Sequence, residues 1–153
     1  MKQINGSAKS TDTESSLKFS HVLAVDDAPD NLLLIEAILD DAEYHVTCAQ
    51  NGSEALEQVN LTPPDVILLD VSMPDMSGIE VTEQIRQNDS LPYIPILLVT
   101  ANDSDICRQG LETGADGYIR KPFNIRELEA KVKSLLQLNR FMGRRSMCQE
   151  ANA

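Results

Sequence analysis

Tryptophan is absent from this 153-residue chain, cysteine occurs three times and histidine twice. Each scarcity removes a class of function. Cys48, Cys107 and Cys148 are odd in number and contain no CxxC pair. That pattern excludes both a disulfide framework and a cysteine-built zinc site, and reduced thiols in a cytosol fit it best. His21 and His45 have no ligand partner at useful spacing in the sequence. No apolar run approaches the ~20 residues of a membrane span, and the N-terminus lacks the apolar core of a signal peptide. Cations are scarce: 13 Lys and Arg against 24 Asp and Glu leave a net charge of −11. A surface of that sign does not grip nucleic acid phosphates. Arg140, Arg144 and Arg145 form only a short basic stretch near the end, read as a solvated tail.

What remains is a chain of one-domain length, able to bury roughly 68–70% of its unfolded surface without staples. Residues 1–18 are polar and read as a disordered leader. Five apolar runs then alternate with helical patterns, near 21–25, 44–48, 65–69, 94–99 and 116–119. Alternation of that kind predicts a parallel sheet with helices on both faces, and unbroken runs such as Val66–Leu69 suit strands covered on both sides. Pro29 fits a first helical position, followed by an apolar face of Leu32, Leu33, Ile35, Ala37, Ile38 and Leu39. Asn51 with Glu54, Ser77 with Glu80 and Asn124 with Glu127 match or approach the capping box. Asn102 is placed to cap a fourth helix that Gly114 ends in the left-handed conformation. The last helix shows Ile125, Leu128, Val132, Leu135 and Leu136 at 3–4 spacing and runs through Phe141 and Met142 to Gly143.

The chemistry sits at the ends of the apolar runs. His21–Val25 leads into Asp26 and Asp27, Val66–Leu69 into Asp70, Ile96–Val99 into Thr100, and Tyr118–Arg120 into Lys121 and Pro122. Open parallel sheets place ligand sites at the carboxyl ends of their strands, so three carboxylates, a hydroxyl and an ammonium are expected to converge. Carboxylates ~5 Å apart repel by roughly 3 kcal/mol per pair at an effective dielectric of 20. Such a cluster needs a cation or a raised pKa. An all-oxygen donor set suits Mg²⁺ or Mn²⁺, and a carboxylate beside such an ion can act as a phosphoryl acceptor. The Lys121–Pro122 bond can be cis at a cost of only ~0.5–1 kcal/mol, which would aim the lysine into the site; an ordinary strand-to-helix turn is the other reading.

At this point VLAVDDAPDN, DVILLDVSMPDMSGIE, ILLVTA and GADGYIRKPF resemble, in order and spacing, the receiver domain of bacterial two-component response regulators. The resemblance covers about Phe19 to Leu138. It implies a flavodoxin-like, doubly wound (βα)5 sandwich with a parallel five-stranded sheet of order 2-1-3-4-5. It bounds the domain at 19–139, with 140–153 as a C-terminal tail. It implies Asp70 as phospho-acceptor, and Asp26, Asp27, Asp70 and the backbone carbonyl of Ser72 as ligands of Mg²⁺, for which Mn²⁺ can substitute. Thr100 and Lys121 would assist at the acceptor, and Thr100 and Tyr118 would form the switch. Ser72 and Asn102 would line the entrance and tune the lifetime of the phosphoryl group. The partners implied are a sensor histidine kinase or histidine phosphotransfer protein, a downstream protein target or output domain, and a phosphorylation-dependent second copy. Neither nucleic acid nor membrane is a direct partner, and the setting implied is cytoplasmic.

Four readings compete. The leading one is a stand-alone signalling switch that catalyses only its own phosphorylation and dephosphorylation, since no output domain fits after Leu138. A phosphatase of the haloacid dehalogenase kind would need an aspartate two residues past the nucleophile, where this chain has Ser72. The remaining alternatives are a receiver fragment of a larger hybrid kinase or multi-domain regulator, and a phosphorylation-independent binding domain.

Overall fold

The computed structural model describes residues 20–40, 43–101 and 104–152, with side chains described as far as 141. The leader, Asn102 and the side chains of the tail beyond 141 lie outside the described residues.

Five strands alternate with five helices: β1 (Ser20–Val25), α1 (Pro29–Leu39), β2 (Tyr44–Ala49), α2 (Gly52–Leu61), β3 (Val66–Asp70), α3 (Gly78–Gln87), β4 (Ile96–Thr100), α4 (Ser104–Thr113), β5 (Gly117–Arg120) and α5 (Ile125–Asn152). The strands form one sheet of order β2-β1-β3-β4-β5, and every neighbouring pair is parallel. That is the 2-1-3-4-5 order. The strand order reverses between β1 and β3, which opens a crevice at their carboxyl ends.

Alternation along the strands builds two cores. Val22, Ala24, Val66, Leu68, Leu97 and Val99 face Leu32, Ile35 and Leu39 of α1 and Leu128, Val132, Leu135 and Leu136 of α5. Leu23, Val25, Ile67, Leu69, Ile96 and Leu98 face Ala55 and Val59 of α2 and Val81 and Ile85 of α3. Ile106 of α4 packs against this second core. The central strands β3 and β4 are buried at every residue, which is why they read as unbroken apolar runs.

The caps follow the sequence with one change. Ser77 and Glu80 form a full capping box, and Asn124 Oδ1 accepts from Glu127 N–H at 2.7 Å. Asn51 Oδ1 accepts from Glu54 N–H at 2.8 Å, but the Glu54 carboxylate takes the Gln50 N–H instead of returning to Asn51. Gly114 ends α4 with φ +125°, its N–H donating to Gly110 O. On α1 the expected apolar face is too wide. Leu32, Ile35 and Leu39 are buried, whereas Leu33 is 63% exposed and Ala37 also faces outward. A straight helix on a sheet buries one stripe, so adjacent apolar residues cannot all point inward. Ile125 of α5 is likewise exposed. The α5 backbone continues through Gly143 to Asn152; a glycine inside a helix costs about 1 kcal/mol relative to Ala and does not by itself end it.

Candidate functional site

The carboxyl ends of β1, β3 and β5 meet at one corner. Asp70 is the last residue of β3, and Asp26 follows β1 directly. Both are nearly out of reach of water, at 3% and 2% exposed, while Asp27 is exposed. One oxygen from each of Asp26, Asp27 and Asp70 lies within 4.8 Å of the others. Lys121, just past β5, brings its Nζ to 3.3 Å from Asp70 Oδ1 and 3.4 Å from Asp26 Oδ2. The Lys121–Pro122 peptide is cis.

Neighbouring donors fix the acids. Asp26 Oδ1 accepts from Ala28 N–H at 2.9 Å, and its Oδ2 accepts from the Asn31 side chain at 3.1 Å. Asn31 lies on the first turn of α1 and escaped the sequence reading. Asp70 takes a bond from the backbone N–H of Ser72. Burial pushes the Asp70 carboxyl above its ordinary range and the Asp26 charge adds to this, while Lys121 and the Ser72 N–H pull the other way. Burial works against the Lys121 ammonium, but Asp70 and Asp26 outweigh it and hold it above its ordinary value. One ammonium therefore faces two buried carboxylates, with a third carboxylate at the rim. The donor set is oxygen only, open on the Asp27 side and short of positive charge. It fits a small hard cation that keeps part of its water.

The other expected residues stand around this corner at different distances. Thr100 ends β4, next to β3 in the sheet, and is 4% exposed. Its carbonyl accepts from Lys121 N–H at 2.7 Å, so threonine and lysine are joined through the backbone. Tyr118 stands one step away from the acids: it pairs with Leu98 on β4, half-buried against the second core. The Arg120 guanidinium lies 5.8 Å from its ring centroid. Leu98 and Thr100 share a sheet face, so Tyr118 lies on the same face as the threonine, toward the edge.

The two histidines, which have no ligand partner at useful sequence spacing, make a ring contact with each other across the sheet. Parallel pairing sets His21 directly opposite His45, with ring centroids 5.6 Å apart. They lie at the amino end of the sheet, opposite the acid corner, and register between distant strands is invisible to sequence spacing.

Comparisons with known proteins agree with this geometry. Residues 22–133 match the family described as the response regulator receiver domain. The alkaline phosphatase synthesis transcriptional regulatory protein PhoP of Bacillus subtilis is 42% identical over 117 residues, 76% of this chain and 48% of that protein. The transcriptional regulatory protein TrcR of Mycobacterium tuberculosis is 39% identical over 117 residues, 76% of this chain and 45% of that protein. The chain thus spans about half the length of these relatives. Among solved structures, chemotaxis protein CheY4 of Vibrio cholerae superposes with a TM-score of 0.71 at 34% identity, covering 76% of this chain and 98% of that one. A CheY-like receiver domain protein from Methanospirillum hungatei gives 0.76 at 31% identity, covering 82% and 99%. Sequence and fold thus lead to one family: the chain belongs to the response regulator receiver domains of two-component signal transduction.

Proposed function

We propose that Asp70 accepts a phosphoryl group from a phosphohistidine on a sensor histidine kinase or a histidine phosphotransfer protein. The supporting observation is the corner itself: three carboxylates within 4.8 Å of one another, with Lys121 Nζ 3.3 Å from Asp70. Asp26, Asp27, Asp70 and the Ser72 carbonyl would hold Mg²⁺, with Mn²⁺ as a substitute. The ion's chemistry is to neutralise charge on the phosphoryl oxygens.

The chain's own groups do the rest. An Asp70 carboxylate oxygen attacks phosphorus as the bond from phosphorus to the donor's ring nitrogen breaks; the electron pair leaves with the imidazole. Lys121 Nζ stays within reach of the acceptor and can pair with the incoming phosphoryl oxygens. The Thr100 hydroxyl donates to one of those oxygens, and Tyr118 turns inward behind it. This is a shift between two packings of one fold. Its readout is the surface of α4, β5 and α5, where Leu111, Tyr118, Arg120, Glu127 and Lys131 line an open depression of about 460 Å³. A downstream protein, an output domain or a second phosphorylated copy docks there. The protein is a switch acting in the cytosol, processing no separate substrate. A second reading, control of an attached output region, draws on relatives whose matched part is 48% and 45% of their length.

The test is intact mass after incubation with Mg²⁺ and acetyl phosphate or phosphoramidate. A phosphoryl-sized gain that requires Mg²⁺ and disappears in Asp70→Ala is expected. A gain that survives the substitution would show that another residue is the acceptor.

A further inference from the structure

The loop between Asp70 and α3 is fastened at its base and at its apex. At the base, Gly78 N–H donates to Val71 O at 2.9 Å. The apex crosses to a different helix. Asp75 Oδ1 accepts from Gly52 N–H at 3.1 Å, and Oδ2 accepts from Ser53 N–H at 3.1 Å and the Ser53 hydroxyl at 3.2 Å. Gly52 and Ser53 open α2, where backbone donors have no partner within their own helix and a carboxylate meets the positive end of the helix dipole. Asn51 takes the next donor. The first turn of α2 is therefore capped partly by its own N-cap and partly by the loop that carries Ser72. The fit is close: a Cβ on Gly52 would lie 2.9 Å from Met76 Cβ, so a side chain there would force the loop away.

Asp75 is exposed, and its described bonds run to α2 and not to the acid corner. It stands only three residues past Ser72, whose N–H bonds Asp70. We propose that Asp75 is a positioning residue of the site: by tying the loop apex to α2, it holds Ser72 where its backbone meets Asp70 and the bound ion. This rests on the reading of Asp26, Asp27, Asp70 and Ser72 as the ion's ligands. A plain helix cap would stabilise α2 and leave metal affinity untouched.

The two roles separate in a set of variants. Asp75→Ala removes the tether, Asn51→Ala weakens the same helix start without touching the loop, and Asp75→Asn keeps one acceptor oxygen. Mn²⁺ is titrated into each full chain and free Mn²⁺ is read by electron paramagnetic resonance. Amide exchange over residues 71–77 is followed in metal-free protein. Asp75→Ala is expected to weaken Mn²⁺ binding roughly tenfold, the lower end for residues that orient metal ligands, and to speed exchange in the loop. Asn51→Ala should lower thermal stability yet leave Mn²⁺ affinity and loop exchange as in wild type, with Asp75→Asn between the extremes. Wild-type affinity in Asp75→Ala, or an equal loss in Asn51→Ala, overturns the positioning role while leaving the site intact. Wild type and Asp70→Ala binding Mn²⁺ alike, or neither binding it, overturns the underlying reading of the site and the positioning role with it.

Discussion

Asp70 is held where its own charge opposes folding. Its pKa is raised by burial and by Asp26. For an acid this means that stability falls as pH rises from the unfolded value of 3.8 through the higher folded one. At neutral pH the ionised carboxylate is therefore a net cost when no divalent ion is present. Asp70→Asn removes that cost, and Lys121 keeps Asp26 as a partner at 3.4 Å. The variant should be more stable than wild type in metal-free buffer by on the order of 1 kcal/mol, roughly 3–5 °C for a domain of this size. Excess Mg²⁺ should raise the melting temperature of wild type more than that of the variant. Melting curves with and without Mg²⁺ decide it, and a less stable Asp70→Asn in metal-free buffer would refute it. The acids themselves were legible in the sequence because each closes an apolar run. Asn31 and Asp75 were not, since an asparagine or aspartate near a helix start reads first as a local cap. Asp75 caps a helix that begins 23 residues earlier.

At the scale of elements, α3 is bound to the far end of the sheet by one arginine. Arg86, in its last turn, donates to Gly114 O at 2.9 Å, Ile94 O at 2.7 Å and Asp116 Oδ2 at 2.9 Å. Its guanidinium lies 4.8 Å from the centroid of the Tyr93 ring. The Tyr93 hydroxyl donates to Asp116, whose Oδ2 also accepts from Ile96 N–H. Burial and then Asp116 push the Tyr93 hydroxyl up to about 12, so it keeps its proton as the donor. The network joins α3, the entry to β4 and the turn from α4 into β5. Arg86→Met should cost about 2–4 kcal/mol, because two carbonyls and a carboxylate lose a charged donor in a site that is partly closed to water. Urea denaturation checks this, and a loss below about 0.5 kcal/mol, within the usual range for surface substitutions, would mark the network as dispensable. In sequence, Arg86 reads as a cation suited to the end of its own helix. Its partners lie 8 to 30 residues further on, and no periodicity records them. The strands, by contrast, were readable because burial on both faces leaves only apolar residues to choose from. Exposed Leu33 and Ile125 show the limit of that signal on helices, where an apolar residue beside the buried stripe is indistinguishable from one within it.

Across the whole molecule the sheet has two unlike ends. The carboxyl end gathers buried acids around Lys121, and the amino end pairs His21 with His45. His21 Nε2 lies 2.8 Å from Thr47 Oγ1, and its backbone N–H donates to Asp65 Oδ2 at 2.7 Å. Burial lowers the His21 pKa below 6.5 and the facing His45 lowers it further, while Asp65 only partly offsets them. A group whose folded pKa is depressed leaves the unfolded chain holding more protons in the interval between the two values. Stability is therefore complete above about pH 6.5 and is lost as pH falls toward the folded value. The pairing of β1 with β2 is the contact that would loosen. One such linkage contributes a slope of at most ~1.4 kcal/mol per pH unit. His21→Asn keeps a side chain able to reach Thr47 but removes the titration. Between about pH 7.5 and about pH 5.5 wild type should lose more stability than this variant. Parallel losses in the two proteins would show that protonation of His21 is not what weakens this end. The acid corner cannot mimic the effect, because the raised Asp70 pKa acts with the opposite sign: protonating it relieves the fold. Subtracting the variant's pH profile from that of wild type therefore isolates the amino end of the sheet.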